Sequence, residues 1–597
     1  MLFLAYIAPL LVFSVASRRK IPESIRKLIK ILYSFSFLFG VQGVLRLILL
    51  PKFNFGELFQ ILGSSIYSTV QSITFTGTMF WSDKVVVSDF TKGQIWLIAF
   101  VASMITVHSL LATIFGKFLN QLDMKIKSGF VKDQYCILGS SDVSRVLITD
   151  IYDHVKKPYI IYIPTDKLAD DDKLYALCRV EKPVFLNRLN KKKRYHIVLL
   201  PDSDYSNFDR VYMLNETDSN VKVTAFLDND VIRFHDLHTD NIDTMLKSVD
   251  QVLVNSFFKE YTPFKLLKET HSFTEDKNFP YLKRPFEICV IGFGNIGQEF
   301  LLSSFENAAF LTETGESPFK ALVIDRNASV LKQEFENKVP FFAGNNDIEF
   351  KNLEADTEEY FNVIEERTRR LHQIIVAIQD TETNVSTALS LCRYFDRIGF
   401  YDNRPQIVVV LNDTVTGVKN LFKGYPNVEI IDFNNQIFTF ENINETKLDL
   451  AAKALNQKYN VENPQNASEW NSLGTFAKSS NYAAARDNLT NKIEQFRMCK
   501  GEKEETYQFL AQYEHSRWCA FHFAHGWKKL NVEDLTEEEK NQYKTKREDQ
   551  KLHICLVSWD ELDALPQKDK GKFKMNDYNT VVGALENVVI KQTESNN

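Results

Sequence analysis

Residues 286–305 read FEICVIGFGNIGQEFLLSSF, a stretch that indicates the fold of the middle of the chain. The apolar run FEICVI has the length and composition of a buried strand, and GFGNIG connects it to a helix-like segment. Gly292, Gly294 and Gly297 therefore lie between a strand and a helix, where glycine permits a tight turn and lets the backbone approach a phosphate. The next apolar run, KALVIDRN, ends with Asp325, in the position where an acid can accept a ribose hydroxyl.

This spacing predicts a nucleotide-type site. Its candidate residues are Gly292, Gly294, Asn295, Gly297 and Asp325. The alternative interpretation is that the glycines only form the strand-to-helix turn and that the site is empty.

The same alternation of apolar strands and helix-like segments occurs twice. In the second copy it continues with HQIIVAIQDTETN (372–384) and PQIVVVLND (405–413). The first copy consists of QYCILGSS (134–141), PYIIYIP (158–164), YHIVLLPDSD (195–204) and VKVTAFLD (221–228). Alternating β and α segments of this kind predict parallel, doubly wound sheets, here two Rossmann-like domains at 132–262 and 285–450. The first copy has GSSDVS at 139–144 in place of the glycines, and Asp142 would oppose a phosphate, so that copy is predicted to be vestigial.

Composition excludes several classes of function. The chain has 597 residues, 44% hydrophobic and 25% charged, which is typical of folded protein. Its net charge of −6 provides no overall basic field, so no nucleic-acid partner is expected. The seven cysteines form no C-x-x-C pair, so no metal site is predicted.

The first 118 residues are predicted to form a membrane domain. Apolar stretches occupy 1–17, 31–50 and 95–115, and the last two have the ~20 residues that cross a bilayer core. Positive charges follow the first and third stretches, which orients the chain with everything after residue 118 in the cytosol. For the stretch at 1–17, a cleaved signal peptide is the alternative.

The segment at 57–82 is too short and polar to cross a bilayer, and it resembles the pore loop of two-helix potassium channels. The residues that align with the filter are Thr74, Phe75, Thr76, Gly77, Thr78 and Met79. Threonine and methionine replace the aromatic residue and the second glycine of that family's filter, which leaves the selected ion open. The alternative is an extracellular loop between two anchoring helices.

The segment at 465–592 resembles the RyR domain, a small helical module. The resemblance rests on Ser480 and Asn481, on the run EHSRW at 514–518, and on the pair Gly526 and Trp527. It implies a ligand-binding role for seven residues: Ser480, Asn481, Glu514, His515, Arg517, Trp518 and Trp527. An arginine fork suits a phosphate, and indole faces suit a base. The alternative is a helical core in which Glu514 pairs with Arg517 and the tryptophans pack.

Taken together, a pore-like helix pair followed by two such domains resembles potassium-channel proteins with RCK (TrkA-N-type) domains. The resemblance implies a homotetrameric, ligand-gated channel for monovalent cations in the bacterial cytoplasmic membrane, and not an enzyme. The expected ligand is an adenine or other purine nucleotide, including cyclic and ADP-ribose-derived forms, with ion homeostasis or a stress or anti-phage response as the role. The alternative is a non-conducting, membrane-anchored nucleotide sensor that acts through a partner protein.

Overall fold

The structure is a computed structural model that describes residues 116–595 with several gaps. The gaps lie at 167–173, 175–176, 202, 217–219, 239–242, 379, 402–403, 413–416, 445, 463, 465–466 and 568–570. The predicted membrane helices and the filter-like residues 74–79 lie outside the described residues. Within the described ranges, no helix combines the length and the apolar character that a membrane span requires.

The described residues belong to two compact units. The smaller unit contains the helix Gly116–Ser128 and the residues that precede the third strand. In this unit the Gln121 side chain donates a hydrogen bond to the Cys178 carbonyl oxygen over 2.9 Å, and Arg179 donates to the Ser128 hydroxyl over 3.2 Å. The larger unit contains the described residues of 131–169 and 180–595, which form the second sheet, the first sheet apart from Arg179, and the C-terminal elements.

The first sheet has six strands. They are Asp133–Gly139 (β1), Ile160–Pro164 (β2), Arg179–Val180 (β3), Arg194–Leu199 (β4), Asn220–Leu227 (β5) and Asp243–Ser248 (β6). Their spatial order is β3-β2-β1-β4-β5-β6, and the pairings from β2 to β6 are parallel. In the centre, Ile137 of β1 lies opposite Tyr162 on one side and Val198 on the other.

The second sheet repeats this arrangement. Its strands are Phe286–Ile291 (β7), Phe319–Asp325 (β8), Ile348–Asn352 (β9), Leu371–Val376 (β10), Gln406–Leu411 (β11) and Val428–Asp432 (β12). The order is β12-β11-β10-β7-β8-β9, with every pairing parallel. Both sheets therefore have the 3-2-1-4-5-6 order of a Rossmann-like fold, which confirms the prediction of two doubly wound units.

Helices connect the strands and cover the sheets. In the first copy they are Ser141–His154, Asp204–Asn215, Asn229–Phe234, Val249–Phe258 and Pro263–Glu269. In the second they are Asn295–Asn307, Ala328–Lys338, Glu358–Glu365, Thr381–Arg397, Val418–Leu421, Phe433–Ile437 and Phe440–Ile443. All six residues of β7 and all six of β10 are buried, because helices cover both faces of the sheet. This burial explains why the central strands read as nearly continuous apolar runs.

The C-terminal part contains both helices and a small sheet. Its helices are Lys447–Glu462, Thr475–Leu489, Asn491–Met498, Lys503–Ala524, Glu537–Asn541 and Lys572–Ser595. Its strands are Lys528–Lys529 (β13), Lys546–Arg547 (β14) and Leu552–His553 (β15), in the order β13-β15-β14. The prediction of a purely helical module misses this sheet, because two-residue strands rich in lysine and arginine have no apolar alternation.

Candidate functional site

The glycine loop of the second copy lies at the carboxyl end of β7, where the strand order reverses. Gly292 has a φ of +88°, and a Cβ added there would lie 2.6 Å from the Ala377 carbonyl oxygen. A Cβ added to Gly297 would collide with the Gly292 carbonyl oxygen. The fold itself therefore requires glycine at these two positions.

Gly294 is different. Its φ of −72° is accessible to any residue, and a Cβ added there would meet no atom within 4 Å. Neither backbone conformation nor packing explains this glycine. The space beside it is open, which is the geometry that a backbone needs to approach a bound group.

The helix Asn295–Asn307 begins at this loop, with Gly294 as its N-cap. No side chain caps its first turn, and that turn contains no acidic residue. Its free backbone N–H groups and the positive end of the helix dipole therefore favour an anion.

Asp325 borders the loop from the end of β8. Its Oδ2 accepts a hydrogen bond from the Phe293 N–H over 2.9 Å, and its Oδ1 accepts one from the Asn327 N–H over 2.8 Å. Asp325 thus holds the glycine loop in place. Each carboxylate oxygen retains a second lone pair that can accept a hydroxyl.

Asn384, which the sequence interpretation did not single out, joins the strand ends on the other side of the crevice. Its side chain accepts a hydrogen bond from the Ile378 N–H over 2.7 Å and donates to the Val410 carbonyl oxygen over 2.8 Å. In the first copy, Asn207 donates to the Leu200 carbonyl oxygen over 2.9 Å. Both asparagines are buried and lie one turn into the helix that follows a central strand, β4 or β10. This shared position is the sequence signal that could have identified them.

The corresponding loop of the first copy is filled by the chain itself. The Asp166 carboxylate accepts hydrogen bonds from the Ser141 N–H over 3.0 Å and from the Ser141 hydroxyl over 2.9 Å, at the start of the helix Ser141–His154. A carboxylate thus occupies the place where a phosphate would bind. Asp142, which the sequence interpretation held responsible, lies in the first turn of the same helix.

In the C-terminal part, Glu514 and Arg517 form a buried ion pair. Arg517 donates from Nε over 3.0 Å and from Nη2 over 2.6 Å to the two Glu514 oxygens, and Lys492 donates to Glu514 over 2.6 Å. Burial raises the pKa of Glu514, but Arg517 and Lys492 outweigh it and hold that pKa at about 2. The Arg517 fork is therefore engaged inside the chain, as in the packing interpretation.

The remaining predicted residues of this part also make contacts within the chain. His515 contacts the Asp577 carboxylate over 3.2 Å and the Val557 carbonyl oxygen over 2.9 Å. Burial lowers the pKa of His515, but the contacts with Asp577 and Cys519 together outweigh it and raise the pKa to about 10. The Asn481 side chain donates to a carbonyl oxygen of its own helix over 2.9 Å. Ser480, on the same helix, is half-buried.

The two tryptophans pack in the interior. Trp527 is 5% exposed and packs with Cys519 and Leu556. Trp518 is partly buried and lies against His522, with ring centroids 3.9 Å apart and the ring planes tilted by 41°. The structure thus pairs Glu514 with Arg517 and places the two indoles in the same packed region.

No family model and no curated protein matches the chain. Among solved structures it is similar to the GsuK channel, with 14% identity and a TM-score of 0.33 over 68% of this chain and 93% of that chain. It is similar to the GsuK channel bound to NAD, with 15% identity and a TM-score of 0.32 over 73% and 82%. It is also similar to a dipicolinate synthase from Bacillus halodurans, with 9% identity and a TM-score of 0.20 over 51% and 89%. At such TM-scores the likeness carries no argument, so the Rossmann-like assignment rests on strand order.

Proposed function

We propose that the second Rossmann-like domain binds a purine nucleotide at its glycine loop. The observation that carries this proposal is Gly294, a glycine that neither the backbone nor the packing of the chain requires. A phosphate at this position would accept hydrogen bonds from the uncapped first turn of the helix Asn295–Asn307. Asp325 would accept a ribose hydroxyl, as in dinucleotide-binding folds.

The first copy is proposed to bind no nucleotide, since Asp166 already occupies the start of its helix. Each chain would therefore hold one nucleotide at its glycine loops. NAD is a suitable first probe, because it has the phosphates and ribose hydroxyls that the glycine loop and Asp325 would bind.

Isothermal titration calorimetry of the full chain in detergent tests this site. Gly294→Val should weaken the binding of NAD or AMP at the glycine loop by about tenfold or more, because the valine occupies the space of the phosphate and charge-assisted hydrogen bonds are worth roughly 1.5–3 kcal/mol each. The matched control is Gly424→Val, since a Cβ at Gly424 also meets nothing within 4 Å. Gly424 precedes β12 and so lies toward the amino ends of the strands, away from the glycine loop. Equal binding by the two variants would overturn the proposal.

We further propose that this nucleotide regulates a cation pore formed by the membrane domain of a homotetramer, with potassium-like conduction and with the domains after residue 118 in the cytosol of a bacterium. The support is the sequence of the segment at 57–82 and the order of pore-like helices, two Rossmann-like domains and an RyR-like module. A ligand shifts the population of open pores only if it binds one state better. The rival is a non-conducting sensor that signals through a partner.

Flux through liposomes separates these two functions. A nucleotide-dependent cation flux that Gly77→Val abolishes, while the tetramer still assembles, is the result expected of a pore. No flux from the wild-type chain at saturating nucleotide would favour the non-conducting sensor.

A further inference from the structure

The larger unit contains a cavity that is separate from the glycine loop. Its volume is about 850 Å³, within the range of small-molecule sites. Its wall combines β6 and the helix Val249–Phe258 of the first copy with the helix Asn295–Asn307 of the second. The C-terminal helix Thr475–Leu489 completes it. None of the seven predicted sensor residues lines this cavity.

Two acidic side chains on one side of the cavity are already paired. Arg233, which is 4% exposed, donates to Glu299 over 2.7 and 2.9 Å and to Glu306 over 2.5 Å. Glu299 also accepts the Ser303 hydroxyl over 2.6 Å. Both carboxylates therefore have Arg233 as their direct hydrogen-bond partner, although one guanidinium balances the charge of only one of them.

Arg486 reaches the same cavity from the helix Thr475–Leu489, and its charge offsets the second carboxylate of the pair Glu299 and Glu306 without a direct bond. Among the described residues, none forms a hydrogen bond or ion pair with its guanidinium, and the acids that act on it electrostatically are Glu299 and Glu306, both bound by Arg233. Burial lowers the pKa of Arg486. Arg486 is half-buried, and the N–H donors of its guanidinium are therefore available to an anionic ligand in the cavity.

Lys247 provides a second cation. Its Nζ donates to the Asn442 carbonyl oxygen over 2.5 Å, and in the part of the chain that the structure describes no carboxylate lies within 4 Å of it. Asp449, an acid that also lines the cavity, accepts hydrogen bonds from the Thr446 N–H over 2.6 Å and from Tyr482 over 2.6 Å. In the described part of the chain, Arg486 and Lys247 therefore both face the cavity with no carboxylate within 4 Å.

Aromatic surface lies beside these cations. Trp470 and Tyr482 line the cavity with ring centroids 5.7 Å apart in an edge-to-face arrangement. Trp470 is half-buried, which leaves part of its indole face accessible. A planar base stacks favourably on such a surface.

We propose that this cavity binds a nucleoside phosphate, with the phosphate on Arg486 and Lys247 and the base against Trp470. The site is distinct from the glycine loop and does not depend on it. Since its walls come from both Rossmann-like domains and the C-terminal helices, a bound ligand contacts all three parts. The sensor contacts of the C-terminal module thus lie on the helix Thr475–Leu489 rather than at Arg517 and Trp527.

Calorimetry of the full chain in the Gly294→Val background isolates this cavity, with AMP, ADP-ribose and inorganic phosphate as probes. AMP or ADP-ribose should bind, and adding Arg486→Gln should weaken that binding about tenfold to hundredfold through loss of a charge-assisted contact. Adding Arg497→Gln is the control, because Arg497 is exposed and pairs with Glu494 within its own helix, Asn491–Met498. Inorganic phosphate should bind more weakly than either nucleoside phosphate, because it lacks the base.

The melting temperature of the Arg486→Gln chain without ligand shows whether this variant folds, because Glu299 and Glu306 lose a nearby positive charge in it. If this variant does not fold, Trp470→Leu provides the second test and should reduce AMP binding while leaving phosphate binding unchanged. The proposal is overturned if neither AMP nor ADP-ribose binds the Gly294→Val chain, or if a folded Arg486→Gln variant binds as tightly as its parent. It is also overturned if phosphate alone binds as tightly as AMP. Loss of binding in Arg486→Gln without any effect of Gly294→Val would instead remove the glycine-loop proposal.

Discussion

Substitution of Arg517 should damage folding rather than ligand recognition. The side chain is 5% exposed, and its removal leaves the Glu514 carboxylate buried with Lys492 as its remaining cation. Breaking a buried ion pair from one side costs about 3–5 kcal/mol, because the desolvated partner charge stays behind. We therefore expect Arg517→Ala to lower the local opening free energy of the helix Lys503–Ala524 by about that amount.

Hydrogen exchange measured by mass spectrometry on peptides from that helix reports the loss directly. The control is Arg497→Ala, since Arg497 and Glu494 form the same i,i+3 pair on an exposed surface, where such pairs contribute about 0.2–1 kcal/mol. Protection in Arg517→Ala equal to that in the control would refute the reasoning. Unchanged protection together with lost nucleotide binding would restore the ligand-binding role of Arg517.

Two further predictions concern pH and the glycine loop. Burial lowers the pKa values of His522 and His525 well below the ordinary value and lowers that of His553 to about 4, so all three are neutral in the fold at pH 6.5. Because these residues gain protons on unfolding below about pH 6.5, protection of this module should fall from pH 6.5 towards 4, by at most about 1.4 kcal/mol per pH unit for each histidine. His515, with its pKa raised to about 10, has the opposite effect: its contribution to the free energy of unfolding is complete below pH 6.5 and should decline between pH 6.5 and 10. His515→Gln should flatten that decline in hydrogen-exchange protection, and an unchanged decline would contradict the raised pKa of His515. Gly297→Ala should destabilise the second domain by about 1 kcal/mol or more, because the new Cβ meets the Gly292 carbonyl oxygen. Gly294→Ala is the control and should melt near the wild-type temperature. Equal melting temperatures of the two variants would contradict the packing at this turn.

The repeating α/β architecture could be predicted because it depends on local pattern. The buried strands read as apolar runs, and GFGNIG reports a turn whose first and third glycines the structure requires. Contacts between segments distant in the sequence could not be predicted in the same way. Asp166 reaches Ser141 across 25 positions, and the cavity at Arg486 draws its wall from segments more than 200 residues apart. The Arg517 role remained ambiguous because an i,i+3 spacing with Glu514 fits both an internal pair and a ligand fork.

The central claim, a nucleotide at the second glycine loop, is tested most directly by a cryo-electron microscopy map of the full chain with NAD. The account predicts density for a phosphate against Gly294 and the first turn of the helix Asn295–Asn307, with a ribose hydroxyl on Asp325, and no such density at Ser141. A map at saturating NAD in which the space beside Gly294 holds no ligand would contradict it.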